Sequence, residues 1–179
     1  MDQLRGHELK QAFSDATGCL EEYRDAINAL NVFPVPDGDT GTNMLLTMRA
    51  AVQAAEDTFP NDHNLSVASV SSALAKGAFF GARGNSGVIL SQFMKGFSDA
   101  LDGKEILTAG DLERAFGSAS AGAYSSVGNP VEGTMLSVIR GASEAIQAGY
   151  HGIDGSWSVA YEAAQHALEQ TPEQLPILK

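Results

Sequence analysis

The chain has 179 residues, 44% hydrophobic and 18% charged, a size and balance that fit one globular domain spanning residues 1–179 and not a disordered segment. Its 11 basic and 22 acidic residues leave a net charge of −11 with no Lys/Arg cluster, which excludes nucleic acid and an anionic membrane as partners on electrostatic grounds. Cys19 is alone, so there is neither a disulfide framework nor a cysteine metal site; no apolar run nears the roughly 20 residues of a membrane span, and the polar start Met1–His7 lacks a signal core, so a cytoplasmic location without membrane insertion is expected.

In chain order, Leu9, Phe13, Ala16, Leu20, Tyr23, Ile27 and Leu30 step by three and four and predict a first amphipathic helix. Asn31 to Pro36 is β-branched, but its two prolines make it an extended connector. A tight Asp37-Gly38-Asp39 turn follows, with a helix starting near Gly41, and weaker helical patterns run from Met44 to Asp57 and from Val67 to Phe80. Asn61 to Asn64 reads as a polar loop, and Ser66 as the N-cap of the next helix. Beyond the glycine-rich Gly81–Gly87 stretch, Ile89, Phe93, Phe97 and Leu101 form another stripe; Thr108 caps the stripe of Leu112, Phe116, Ala119 and Ala123. Leu136, Ile139, Ser143 and Ile146, then Trp157, Ala160, Ala164 and Leu168, give two more, and an eighth helix is expected from Thr171-Pro172, since proline suits a first helical position. Gly96, Gly117, Gly122 and Gly141 inside these stripes predict close helix packing, and Met44, Met48 and Met94 fall on core faces. With almost no strand alternation, the class is all-α, with about eight helices.

The chemistry concentrates where loops meet helix starts. Asp37 and Asp39 are two carboxylates in one turn, an oxygen-only pair suited to Mg²⁺ or Ca²⁺, and the helix N-terminus just beyond offers free N–H groups and a positive dipole end to an anion. The competing reading is a plain turn with Asp39 or Thr40 as N-cap. An EF-hand loop is excluded, because its sixth and twelfth positions would be Thr42 and Met48. In Gly81-Ala82-Arg83-Gly84-Asn85-Ser86-Gly87, glycines let backbone approach a ligand, Asn85 or Ser86 can cap the helix or donate to phosphate, and Arg83 can face phosphate oxygens; a simple connector is the alternative. Gly128 to Met135 is a third glycine-rich loop entering a helix. Neither a dinucleotide fingerprint nor a Walker A sequence is present. His7, His63, His151 and His166 show no metal spacing.

The stretch from Asn31 to Met44 resembles the signature of the DhaL-type nucleotide-binding domain, shared by the dihydroxyacetone kinase L-subunit and the ATP-binding subunit of bacterial fatty acid kinase. The Gly81–Gly87 loop, Ser91-Gln92 and Gly133-Thr134-Met135 follow in the family's order. The resemblance implies a barrel of antiparallel helices with nucleotide at one end. It implies that Asp37 and Asp39, with Asn31, hold Mg²⁺ (two ions expected) bridging the phosphates of ATP or ADP, and that Asp37, Asp39 and Arg83 carry catalysis. Thr40, Gly41, Thr42, Asn43, Gly84, Asn85, Ser86 and Gly87 would bind phosphates, and Thr134 and Met135 would lie near the adenosine. Dihydroxyacetone kinases carry a third Asp before the pair and a His after it; here Asn31 and Thr40 stand nearest those places, and Val-Phe-Pro-Val-Pro before the pair resembles the fatty acid kinase branch. The implied function is transfer of phosphate from ATP to a fatty acid on a carrier protein. The alternatives are a dihydroxyacetone kinase subunit working with a dihydroxyacetone-binding partner, and a nucleotide-sensing module that transfers nothing. The family continues past Lys179 into a further nucleotide loop and a last helix, so the expectation is a barrel lacking its C-terminal end, inactive in isolation, with any homodimer contact beyond this chain.

Overall fold

A computed structural model describes residues 3–60, 64–147 and 152–178. Seven α-helices are present among them: α1 (Gly6–Ala29), α2 (Thr40–Thr58), α3 (Val67–Gly81), α4 (Gly84–Asp99), α5 (Ala109–Ser125), α6 (Met135–Gln147) and α7 (Ile153–Gln174), with a closing 3-10 turn at Pro176–Leu178. The strand content of these residues is one two-residue pair, β1 (Leu4–Arg5) antiparallel to β2 (Ile106–Leu107), which ties the start of α1 to the start of α5. The all-α class predicted from periodicity is therefore observed.

Local chemistry sets the helix ends. Ser66 Oγ accepts the Ser69 N–H at 3.0 Å and starts α3. Thr108 and Asp111 form a capping box on α5: Thr108 Oγ1 accepts the Asp111 N–H at 3.3 Å, and the Asp111 carboxylate accepts the Thr108 N–H at 3.1 Å. Asp111 is almost fully buried, and Lys104 and Arg114 both pair with it. Burial alone would push its pKa up, but the hydrogen bonds from Thr108 and Lys104 outweigh that and hold it below the ordinary value.

An eighth helix does not begin at Thr171-Pro172: Pro172 lies inside α7. Proline there removes the N–H that would have reached the Leu168 carbonyl one turn back. Thr171 Oγ1 donates to that carbonyl instead, at 2.8 Å, so the helix continues another turn before the Leu175 N–H closes on Thr171 O at 2.8 Å. The polar loop expected at 61–64 lies, apart from Asn64, outside the described residues, as do His63 and His151.

Consecutive helices run antiparallel, as the contacts of their glycines record. Gly96 of α4 meets Ser118 of α5 and Gly122 of α5 meets Gln92 of α4; the Cβ each glycine lacks would lie 2.3 Å and 2.7 Å from those carbonyl oxygens. Backbones at that separation admit no side chain, which explains glycines in mid-helix at a cost of about 0.5–1 kcal/mol each. Likewise Gly41 of α2 touches the last turn of α1, and Gly133, just before α6, touches Thr171 and Leu175 at the end of α7.

The core draws Leu9, Met48, Val52, Val70, Leu74, Met94, Phe97, Leu112, Phe116, Ile146 and Ile153 from all seven helices. An aromatic chain from Phe13 through Phe97 and Phe116 to Trp157 crosses it from α1 to α7, with centroid spacings of 6.2, 6.2 and 5.5 Å. The apolar stripes of the outer helices are only half used. Tyr23 on α1, Leu30 just past its end and Leu168 on α7 are exposed, because each of these helices packs along one side. No described helix is long and apolar enough to cross a membrane.

Candidate functional site

Up-and-down connectivity has a direct consequence for the three glycine-rich loops. In an antiparallel series the N-termini of α2, α4 and α6 fall at one end, together with the C-termini of the odd-numbered helices. All three loops lie on those connections: 30–39, 82–83 and 126–134.

The first loop is built from the end of α1. The Asn31 side chain accepts the Asp39 N–H at 3.2 Å and donates to the Val35 carbonyl at 3.1 Å, closing the segment into a compact turn. The Phe33–Pro34 peptide is cis. Gly38 has φ +69, a conformation that side chains rarely adopt, and it reverses the chain between the two aspartates. Asp39 occupies the N-cap position of α2, yet its side chain accepts no cap bond. The cap reading of Asp39 is thereby corrected. Asn28 does the capping instead: its Oδ1 accepts the Thr42 N–H at 3.1 Å while its Nδ2 donates to Thr42 Oγ1 at 3.0 Å. A polar side chain one helix away thus satisfies a free donor of α2 and leaves the neighbouring carboxylates unspent. Asp37 is exposed, Asp39 is half-buried, and among the described residues none hydrogen-bonds or ion-pairs with either carboxylate.

The second loop docks onto the same end of α2. The helix α4 begins at Gly84, with Arg83 at its N-cap in extended conformation and no side-chain cap bond. Asn85 and Ser86 therefore lie within the first turn and do not cap it, which removes capping from the two roles expected of them. Ser86 is buried and its Oγ donates to the Thr40 carbonyl at 3.4 Å, joining the first turns of α4 and α2. Gly84 has φ +56, and a Cβ on it would lie 2.3 Å from Asn43 Nδ2. The Arg83 guanidinium is exposed and donates to the adjacent Ala82 carbonyl at 3.3 Å.

The third loop is held separately. Glu132 receives a two-pronged contact from Arg140 at 2.7 and 2.9 Å, a bond from Ser137 Oγ at 2.5 Å and one from Tyr124 Oη at 3.2 Å. The Ser137 bond leads in holding the Glu132 pKa below its ordinary value, and Arg140 adds to it. The Gly133 N–H donates to Ser137 Oγ at 2.9 Å. Thr134 Oγ1 accepts the Leu136 N–H at 3.3 Å and donates to Val131 O at 2.8 Å, so it caps α6. Among the described residues no hydrogen bond joins this loop to the other two.

The structure therefore brings together Asn31, Asp37, Asp39, Thr40, Gly41, Thr42 and Asn43 with Arg83, Gly84, Asn85, Ser86 and Gly87, and sets Thr134, at the end of a separately anchored loop, and Met135, the first residue of α6, at the same end. Sequence reasoning missed Asn28, Thr47 and the Tyr124–Glu132–Ser137–Arg140 cluster. Asn28 left a signal, a polar residue one turn before Asn31 beside the apolar Ile27; the cluster left none, because its members are scattered over two helices and a loop.

The donor set fits a hard divalent cation. It offers two carboxylates with no competing partner among the described residues, and those residues hold no group of three or more His, Cys, Asp or Glu able to form a metal cage. Mg²⁺ is commonly held in that way, by one or two carboxylates with the rest of its shell supplied by phosphate and water.

Residues 34–179 match the DAK2 domain family. The chain is 43% identical over 163 residues to an uncharacterized protein of Staphylococcus saprophyticus, and 42% identical over 163 residues to protein YloV of Bacillus subtilis. A protein of Staphylococcus aureus strain USA300 is 38% identical over 163 residues. In each case the match covers 89% of this chain and 29% of the relative, so the chain spans less than a third of the length of these proteins.

Proposed function

Because the chain belongs to the DAK2 domain family, we propose that it is the Mg-ATP-holding part of a phosphotransferase whose acceptor is a fatty acid presented by a carrier protein. The observation that carries the nucleotide reading is the meeting of the α2 and α4 N-termini beside an Asp-Gly-Asp turn whose carboxylates no described residue engages. Two helix N-termini supply N–H donors and positive dipole ends to phosphate oxygens. Asp37 and Asp39 would hold Mg²⁺, which when bound neutralises phosphate charge. Asn31 acts by bracing the Asp39 backbone.

Phosphoryl transfer asks mainly for positioning and charge neutralisation. The Gly41 N–H and the N–H groups of Gly84 to Ser86 are the backbone donors of these two first turns. The Thr42 hydroxyl accepts from Asn28, which leaves its own hydrogen to donate to a phosphate oxygen. Arg83, exposed at the rim, has the reach to offset charge on the transferring group. A carboxylate acceptor is already ionised at pH 7. Its oxygen attacks the γ-phosphorus, the bond to the β–γ bridging oxygen breaks, and the electron pair leaves on ADP; no base is needed. The choice of acyl acceptor over dihydroxyacetone rests on the wording around Asp37, with Asn31 and Thr40 where dihydroxyacetone kinases have Asp and His.

The test uses the full-length protein with Mg²⁺ and ATP labelled on the γ-phosphate. One reaction contains fatty acid on its carrier, and the other contains dihydroxyacetone with its binding subunit. Label is expected on the fatty acid carboxylate. Label on dihydroxyacetone alone refutes the acceptor, and label on neither refutes transfer and leaves a nucleotide sensor.

A further inference from the structure

Resting on that nucleotide reading, we propose that Thr47 is the positioning residue that sets the two phosphate-facing helix starts in register. Thr47 lies in the second turn of α2 and is fully buried. Its hydroxyl donates to the Asn43 carbonyl at 2.8 Å and accepts the Arg83 N–H at 3.3 Å. The first bond is the ordinary habit of a helical threonine. The second crosses to another element and holds the residue at the N-cap of α4.

The glycines of the second loop show how closely this contact is fitted. A Cβ on Gly87 would lie 2.5 Å from Thr47 Oγ1, as one on Gly84 would lie 2.3 Å from Asn43 Nδ2. Asn43 and Thr47, one turn apart on the same face of α2, thus sit in two notches that only glycine leaves open. With Ser86 Oγ on the Thr40 carbonyl, three positions in the first two turns of α2 index the first turn of α4. Asp37 and Asp39 ride on the start of α2, so the register of α2 against α4 sets where the carboxylates stand relative to the α4 N–H groups.

A hydroxyl is costly at such a place unless it is used. Valine has the same shape and buries no polar group, so packing alone would be served as well by valine. Thr47→Val removes the acceptor of the Arg83 N–H together with the hydroxyl's ordinary bond to the Asn43 carbonyl, and keeps the side chain's shape. Thr47→Ser keeps the hydroxyl and loses only a methyl. Both substitutions leave the nucleotide-facing side chains unaltered, since the Thr47 hydroxyl meets only the backbone of Asn43 and Arg83.

The experiment measures Kd for Mg-ATP by calorimetry on the full-length protein as wild type, Thr47→Val, Thr47→Ser and Val70→Ala, with thermal melting of each. Val70 is a fully buried residue of α3, so its truncation reports the effect of core loosening alone. Thr47→Val is expected to stay folded with Kd raised about tenfold, the equivalent of one hydrogen bond's net worth. Thr47→Ser is expected within about twofold of wild type, and Val70→Ala is expected to lose melting temperature without a matching loss of affinity. Wild-type affinity in Thr47→Val overturns the inference. So does weakening in Thr47→Ser equal to that in Thr47→Val, or a rise in Kd that simply follows melting temperature across all variants. Absence of binding by the wild-type protein is a different result: it overturns the nucleotide reading itself, and the inference with it.

Discussion

Asn28 shows how much of the site depends on side chains that would never meet a ligand. Its amide spans the Thr42 N–H and hydroxyl, so α2 starts without recruiting either aspartate as a cap. Asn28→Ala leaves a helix N-terminal donor without its partner, and an N-cap loss costs about 1 kcal/mol. The expected result is a fall of that size in urea-unfolding free energy, with Mg-ATP affinity weakened as well because Thr42 loses its brace; unchanged stability contradicts the assignment. The sequence made the Asp37-Gly38-Asp39 turn and the two caps Ser66 and Thr108 legible, since each is written within four residues. Asn28 and Thr47 were not legible as partners of Thr42 and Arg83, because their meaning arises only when α1, α2 and α4 touch. Of the two roles open to Asn85 and Ser86, capping or phosphate donation, capping is excluded because α4 starts earlier, at Gly84.

At the scale of elements, helix period located α1 to α7 well, and the failures are physical. Pro172 was expected to open a helix because proline suits a first turn, but the Thr171 hydroxyl repairs the bond that proline removes and α7 runs on. The α1 stripe predicts an amphipathic helix, and parts of it stay in solvent, with Tyr23 60% exposed and Leu30 76% exposed; periodicity records which residues share a face, not whether a neighbour covers it. The mid-helix glycines were read correctly as close packing, and the α4–α5 pair gives the sharpest test. Gly96→Ala puts a methyl 2.3 Å from the Ser118 carbonyl oxygen, an immovable backbone atom. Overpacking of this kind costs about 1–3 kcal/mol. The melting temperature should fall while the circular dichroism spectrum stays helical; an alanine variant as stable as wild type would show that the two helices do not pack at that distance.

Across the whole molecule, antiparallel order does what no single motif can. It gathers three loops separated by some fifty residues each at one end, and it places the Tyr124–Glu132–Ser137–Arg140 clasp beneath the third. Two carboxylates, Asp111 on α5 and Glu132 in the third loop, bear on the acid stability of the fold. Asp111 and Glu132 both have pKa values lowered in the folded state, from 3.8 and 4.5 respectively. A lowered carboxyl pKa contributes stability that is complete above the unfolded value and disappears as pH falls through the folded one. Unfolding free energy is therefore expected to hold above about pH 5 and to drop below about pH 4, with a shallower drop in Asp111→Asn; an acid limb unaltered by that substitution contradicts the role given to Asp111.

The central claim is that the Asp37-Gly38-Asp39 turn and the paired helix N-termini hold nucleotide through a divalent cation. Titration calorimetry of ATP into the full-length protein tests it most directly, with Mg²⁺ or with EDTA, on wild type, Asp37→Ala and Asp39→Ala. The account predicts binding by the wild type only with the metal, and its loss in both variants with the helical spectrum intact, because among the described residues none bonds to either carboxylate. Equal binding in EDTA, or undiminished Mg²⁺-dependent binding by both variants, would contradict it.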